Sequence, residues 1–251
     1  MNKKNNLYTV VFSIIALAFG GYQAYQSGTI NNFMQDTFEI ELNSNSNTAN
    51  ISTDNLRVTE NDIPLYDGST KNIILNDNKS GLDTSSITDL SFTNLDSLNR
   101  VGVATALITP ETYSGSENRA EESNISNIKP TGWKNKKING SYIYNRSHLI
   151  GYAFKGVESD TVLNLMTGTR DFNASKDWGM LKYETMVQQA VKSGKTVYYE
   201  VNPVFHGDNV VATGVQMRAI SEDGSLEFNV FIYNVQDGIS INYSNGNSKK
   251  S

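Results

Sequence analysis

The chain contains no cysteine among its 251 residues. That absence excludes a disulfide framework, a thiolate nucleophile and a zinc site built on cysteine. Histidine is scarce as well, because His148 and His206 are the only two. Imidazole is well suited to proton transfer near neutral pH, so each of these two residues is weighed below as a candidate catalytic group.

Positive charge is also in short supply, since 21 lysines and arginines face 26 aspartates and glutamates and the net charge is −5. This balance argues against a protein that binds nucleic acid through bulk basic charge, but it leaves room for a small local basic site. The length allows one large domain or two small ones, and ten phenylalanines and thirteen tyrosines support a real core.

The start of the chain has the pattern of a targeting segment. Two lysines at positions 3 and 4 precede an uncharged, mostly apolar stretch from Leu7 to Tyr22. We therefore expect residues 1–27 to form a signal peptide or, if uncleaved, a membrane anchor. Residues 28–60 are rich in Asn, Ser and Thr and predict a disordered polar linker, which places the folded domain at 61–245.

The folded part mixes strand and helix patterns, which indicates the α+β class. Residues 179–193 have apolar positions spaced like one face of a helix, and Asp223-Gly224 is a hairpin turn signal between the last two strands. The predicted strands cover 101–108, 142–150, 196–201, 210–220 and 226–235.

His148 closes the alternating, aromatic strand predicted at 142–150. A histidine at the end of a strand is held in place by the sheet, which suits a proton-transfer role. The alternative is a half-buried histidine with a structural role only. His206 lies in a turn-like stretch before a strand, and we expect no catalytic role for it.

The window from Ser123 to Val157 contains no Asp or Glu and holds six positive residues, namely Lys129, Lys134, Lys136, Lys137, Arg146 and Lys155. This pattern favours a polyanionic ligand near His148, with phosphate the commonest, although a solvated loop with chance clustering is the alternative. We expect Lys134, Lys136, Lys137 and Arg119 to line a groove with the helix start. Trp133 and Tyr144 either stack on bases or belong to the core.

Polar residues that suit a hard cation follow the histidine strand. Asn164, Arg170 and Asn173 come before the predicted helix, and Glu184 lies on it. An amide oxygen is an acceptable ligand for Mg²⁺ when water and substrate phosphate supply most of the others. Asn173 could instead be a helix cap. Glu184 could reach the site only if the helix starts close to Asn173, and the alternative is a glutamate on the surface.

The segment Asn145-Arg146-Ser147-His148 resembles the Asp-Arg-Gly-His signature of the DNA/RNA non-specific endonucleases, which have the ββα-metal or His-Me finger fold. The resemblance extends over about 101–235 and is strongest to the streptococcal extracellular and DNA-entry nucleases. It implies a ββα-metal finger embedded in a mixed, mainly antiparallel sheet with flanking helices.

The resemblance also implies a role for each candidate residue. His148 would be the general base, Asn173 the single direct protein ligand of Mg²⁺, for which Mn²⁺ could substitute, and Glu184 would hold the metal's waters. The remaining implied members of the site are Arg146 beside the histidine, Asn164 in support and Arg170 on the phosphate. The sequence departs from the signature at Asn145 and Ser147. If the usual Asp supplies charge, Asn145 weakens the effect; if it only hydrogen-bonds backbone, Asn145 can replace it.

The implied function is an extracellular, sugar-non-specific endonuclease that acts on DNA and RNA without base specificity. It would need no small-molecule cofactor and would act as a monomer, secreted or anchored at the outer face of the membrane. One alternative is a secreted surface protein that binds polyanions without catalysis, which would need neither His148 nor Asn173. Another is a secreted nuclease toxin accompanied by an inhibitor.

Overall fold

A computed structural model describes residues 50–51, 57–115 and 125–251. The predicted leader at 1–27, most of the linker at 28–60, and Arg119 lie outside these ranges. Within them, no helix is both long enough and apolar enough to cross a membrane. The strands are β1 Asn50–Ile51, β2 Asn72–Leu75, β3 Ser91–Phe92, β4 Ala104–Ile108, β5 Lys137–Ile138, β6 Ser141–Tyr142, β7 Tyr144–His148, β8 Leu165–Thr169, β9 Val197–Val204, β10 Gly214–Ser221, β11 Glu227–Tyr233, β12 Ile239–Asn242 and β13 Asn247–Lys250. The helices are α1 Tyr152–Lys155, α2 Arg170–Ala174 and α3 Met180–Lys192.

Seven strands form the main sheet in the order β1-β2-β11-β10-β9-β4-β3. Each pair of neighbouring strands in this sheet is antiparallel, except the pair β1 and β2, which is parallel. The predicted hairpin turn at Asp223-Gly224 is confirmed, because it joins β10 to β11 and Gly224 adopts a φ of +71°. The α+β prediction with a mainly antiparallel sheet agrees with this arrangement, in which strands dominate and helices are few.

The central strands are buried almost throughout. The carboxylate of Glu200, buried among them, is paired with two arginines. Glu200 on β9 accepts from Arg218 on β10 at 2.6 Å and from Arg57 at 2.5 Å. Two guanidinium groups therefore offset the cost of burying one carboxylate inside the sheet.

The predicted domain bounds of 61–245 are narrower than the observed fold. Val58 is 2% exposed and packs with Ile73 and Phe231, so the core begins inside the segment predicted as linker. At the other end, β13 pairs with β12. The sequence pattern missed these segments because the polar residues around them mask a few apolar positions.

A hairpin that is separate from the main sheet, together with two helices, positions the residues discussed below. Strands β7 and β8 pair antiparallel, with His148 opposite Leu165. The strand predicted at 142–150 is shorter than expected, because Tyr142 belongs to β6 and pairs with Lys137. Helix α2 follows β8 directly, and Thr169 caps it by accepting a hydrogen bond from the Phe172 amide at 3.2 Å.

Candidate active site

A cavity of about 530 Å³ lies where β7, α2 and α3 meet. Five of the predicted site residues line it, namely Arg146, His148, Arg170, Asn173 and Glu184. All its lining residues fall between Ile125 and Gln188, so the segment 57–115 contributes strands to the main sheet but no residue to the lining of this cavity.

His148 lies at the end of β7 with its side chain 12% exposed. Its Nε2 is 2.7 Å from Oδ1 of Asp160, a carboxylate that is 6% exposed. The imidazole therefore faces the cavity and is hydrogen-bonded to a buried acid. A histidine with only a structural role would not need to open onto a polar cavity, so the geometry favours the proton-transfer interpretation.

Asn173 and Glu184 reach the same cavity from two separate helices. Asn173 lies in α2, whose cap is Thr169, and α3 begins at Met180 after Gly179, so Asn173 caps neither helix. Helix α3 is separate from α2, and Glu184 lines the same cavity as Asn173 because the chain turns between the two helices. A β-carbon on Gly179 would lie 2.5 Å from the Phe172 carbonyl oxygen, so this close turn requires glycine.

Burial raises the pKa of the Glu184 carboxyl to about 7. Its Oε1 points toward the backbone just after His148, since a β-carbon on Gly151 would lie 3.3 Å from it. The pKa of Tyr199 on β9 is raised well above its usual value by burial and, secondarily, by the charge of Glu184. Among the residues with described positions, neither Glu184 nor Asn173 makes a side-chain hydrogen bond. Both groups are thus poised for a partner in the cavity.

Glu184→Gln should stabilise the metal-free protein at pH 8. A carboxyl whose folded-state pKa is raised from about 4.5 to about 7 binds more protons in the folded than in the unfolded state between those values. The free energy of unfolding therefore falls as pH rises through this window, and the amide removes that loss. Urea denaturation at pH 4 and pH 8 measures it; equal midpoints for both proteins at pH 8 would contradict the prediction.

Arg146 anchors the loop in front of the cavity as well as lining it. Its guanidinium donates to the carbonyl oxygens of Ile128 at 2.5 Å and Ser126 at 2.6 Å, and lies 4.3 Å from the centre of the Trp133 ring. Arg170, by contrast, is exposed at the first position of α2. Arg170 is therefore the arginine with more freedom to contact a ligand, whereas Arg146 also shapes the wall.

Asn164, expected among the catalytic residues in a supporting role, does not line the cavity. It is 0% exposed, and both ends of its side-chain amide are hydrogen-bonded to backbone groups. Oδ1 accepts from the Ile150 amide at 2.9 Å, and Nδ2 donates to the carbonyl oxygens of Ile150 and Ser159, both at 2.8 Å. Asn164 thus supports the site by fixing the chain that follows His148.

The predicted lysine groove lies beside the cavity and not inside it. Lys134, Lys136 and Lys137 are exposed, and none of them lines the cavity. Tyr142 does line it and is 53% exposed, with the Lys137 ammonium 5.0 Å from its ring centre. The hairpin of β5 and β6 therefore presents a basic and aromatic rim.

The two departures from the signature occupy different environments. Asn145 lines the cavity, so the replacement of the signature's charged Asp by a neutral Asn changes the charge of the cavity wall itself. Ser147 is 0% exposed, and its hydroxyl has no hydrogen-bond partner in the described part of the chain. It fits because Gly168, which pairs with Asn145 and lies diagonally across the hairpin from Ser147, has no side chain; a β-carbon there would lie 2.1 Å from the Ser147 Oγ.

Three residues that the sequence did not single out hold this site together. Asp160 contacts His148. Asn135 pairs with the backbone of Tyr144 through both ends of its amide, each at 2.9 Å. Asn234, 0% exposed, donates to the Thr167 carbonyl at 3.0 Å and so ties β8 to the main sheet. No local sequence signal distinguishes these residues from other polar ones, because each acts through contacts distant in sequence.

The described residues contain no group of three or more His, Asp or Glu side chains placed to hold a metal ion. A metal in the cavity would therefore depend on few protein ligands and on neutral oxygen donors. The oxygen donors that line it include the amides of Asn145, Asn173 and Gln188 and the carboxylate of Glu184.

Known proteins resemble this chain in fold and in sequence. The NucA nuclease of Streptococcus agalactiae, in a crystal structure with magnesium bound, superposes with a TM-score of 0.62 at 30% identity, covering 71% of this chain and 86% of that one. Its metal-free structure gives 0.65 at 27% identity, covering 77% and 92%. A deoxyribonuclease of Streptococcus dysgalactiae subsp. equisimilis is 31% identical over 134 residues. That match takes in 51% of this chain but 40% of the relative's length.

In this fold the hairpin of β7 and β8 is followed by helix α2, and His148, Asn173 and Glu184 line one cavity. Residues 83–223 match the sequence model of the DNA/RNA non-specific endonuclease family, which is more than half of the chain. The chain belongs to the DNA/RNA non-specific endonuclease family, and the resemblance drawn from its sequence is confirmed.

Proposed function

We propose that the protein is an extracellular, Mg²⁺-dependent endonuclease that hydrolyses DNA and RNA without base specificity. The observation that carries this proposal is the convergence of His148, Asn173 and Glu184 on one cavity, from a strand and two helices. The unit formed by β7, β8 and α2 would be the ββα-metal finger.

The residues present fit a hard divalent cation. Asn173 offers an amide oxygen and Glu184 a carboxylate whose pKa is raised to about 7 by burial, and both open into the cavity. Oxygen ligands with several waters suit Mg²⁺, and a cation would offset the burial of the Glu184 charge. Asn173 would hold the ion directly and Glu184 its waters. When bound, Mg²⁺ would supply electrophilic stabilisation of the extra negative charge on phosphorus.

The chain's own residues would then carry the proton and the phosphate. His148 takes a proton from the attacking water as the water oxygen bonds to phosphorus. One phosphorus–oxygen ester bond breaks, and its electron pair leaves with the ester oxygen, which is protonated from solvent. Arg170, exposed at the start of α2, contacts the phosphate. The signature's Asp is therefore not needed as a proton acceptor, which is consistent with Asn145.

The surroundings of the cavity suit phosphate contacts more than base recognition. Lys134, Lys136 and Lys137 are exposed beside it, and charge of this kind recognises the backbone of either nucleic acid. Tyr142 at the rim offers a ring that stacks on any base. These features support action on DNA and RNA alike, and we propose that the protein acts as a monomer.

The proposed location outside the cell rests on the leader pattern of residues 1–27, with secretion or anchoring at the outer face as its two forms. The magnesium-bound NucA structure is a relative in which the same family fold holds Mg²⁺. Mn²⁺ is expected to substitute because it accepts the same oxygen ligands.

Incubation of the purified protein with plasmid DNA or RNA, with Mg²⁺ and with EDTA, tests the function. We expect both substrates to be degraded with Mg²⁺ and neither with EDTA, followed by recovery when excess Mg²⁺ is restored. Binding without cleavage under all conditions would favour the polyanion-binding alternative. Cleavage that persists in EDTA would overturn the metal requirement.

A further inference from the structure

Asp160 contacts His148 but is not among the residues that line the cavity. Its Oδ1 lies 2.7 Å from His148 Nε2, and the two side chains are 6% and 12% exposed. We propose that Asp160 is a positioning residue, which holds His148 with a proton on Nε2 so that Nδ1 accepts the proton of the attacking water. The inference rests on the proposed function, in which His148 is the general base.

The chain holds Asp160 firmly in this place. Its backbone amide donates to the Val157 carbonyl at 3.0 Å, which closes the short 3₁₀ turn that precedes it. The buried Asn164 donates to the carbonyl oxygens of Ser159 and Ile150, the residues next to Asp160 and close to His148. The Asn164 amide therefore fixes both the segment that follows His148 and the segment that precedes Asp160. This explains why a buried asparagine lies sixteen residues after the histidine.

A carboxylate in this position acts on the imidazole in two ways. An ionised carboxylate only accepts hydrogen bonds, so Nε2 must carry a proton and the proton-accepting nitrogen is Nδ1. The negative charge also stabilises the imidazolium that forms when water gives up its proton. Asp160 itself stays ionised throughout, and the proton leaves from Nδ1 at the end of the cycle.

Among the described residues, the other charged or titratable side chains that line the same cavity as His148 are Arg146 on β7, Arg170 on α2, Glu184 on α3, and Tyr142, Tyr144 and Tyr152. The arginines oppose the imidazolium and Glu184 favours it. Asp160 is within hydrogen-bond distance of the ring, so its removal should outweigh these longer-range effects.

Asp160→Asn keeps the size of the side chain but removes its charge. We expect kcat to fall about 10- to 10²-fold, with KM unchanged, by analogy with the partners that orient metal-ligating histidines. The acidic limb of the pH profile should move to lower pH, because the imidazolium loses its negative neighbour. The matched control is Glu158→Gln, which removes an exposed carboxylate two residues away and should leave kcat, KM and the profile unchanged.

A double variant separates this proposal from the function on which it rests. Since Asp160 acts through His148, Asp160→Asn should cause no further loss in a His148→Ala background. Full activity in His148→Ala alone would refute the proposed function. An inactive His148→Ala together with an Asp160→Asn variant that matches Glu158→Gln would refute only the role of Asp160.

A measurement on the unaltered protein covers the case in which Asp160→Asn does not fold. The ¹⁵N shifts of the two imidazoles report their tautomers, and His206, with a side chain 65% exposed, serves as the internal reference. We expect His148 to carry its proton on Nε2 alone at a pH where it is neutral. A proton on Nδ1 would overturn the proposal.

Discussion

Replacing His148 by alanine is expected to reduce the rate of phosphodiester hydrolysis about 10²- to 10⁴-fold, the usual contribution of a positioned base. The side chain lies at the end of β7, opens into the cavity and is held by Asp160 at 2.7 Å. Binding of nucleic acid should persist, because the exposed lysines and Arg170 remain. Single-turnover cleavage and a filter-binding assay with the same substrate measure the two effects separately.

The other histidine provides the control for this experiment. His206 is 65% exposed and outside the cavity, so His206→Ala should cleave at the rate of the unaltered protein. A His148→Ala protein that cleaves at full rate would remove the general base from the mechanism. One that has lost binding as well would show that the residue supports the fold of the site, a result that thermal melting would reveal.

Much of the fold could be predicted from the sequence because its signals are local. Alternating apolar residues gave the long strands, the helical spacing gave α3, and Asp223-Gly224 gave the hairpin turn between β10 and β11. The short strands could not be predicted in this way. β5 and β6 have two residues each, and their pairing depends on the turn between them and not on any periodicity.

The site was predictable where a residue is marked by its neighbours in the chain. His148 closes the segment that resembles the family signature, whereas Asp160 has no such mark and contacts His148 only once the segment after the histidine folds back. Glu184 lines the cavity from a helix that is separate from the one carrying Asn173. The turn at Gly179, not helix continuity, brings α3 against α2, and such close approaches leave no periodic pattern in a sequence.

Replacing Asn173 by alanine is expected to weaken Mg²⁺ binding by more than about 10²-fold and to abolish activity at ordinary magnesium concentrations. Loss of a partner that merely orients a metal ligand already costs 10- to 100-fold in affinity, and Asn173 is proposed as the direct ligand. Titration calorimetry with Mg²⁺ and cleavage at rising Mg²⁺ concentration measure this. Asn94→Ala, an exposed asparagine outside the cavity, is the control and should behave as the unaltered protein.

Asn173→Asp distinguishes holding the ion from activating it. A carboxylate binds Mg²⁺ at least as well as an amide, so the affinity measured by calorimetry should be kept or increased. Its negative charge also neutralises part of the ion's electrophilicity, so kcat at saturating Mg²⁺ should fall below that of the unaltered protein. Tight binding with slow turnover would explain why a neutral asparagine occupies a metal position beside Glu184. If Asn173→Ala bound Mg²⁺ as well as the unaltered protein does, the ligand would have to be sought elsewhere in the cavity.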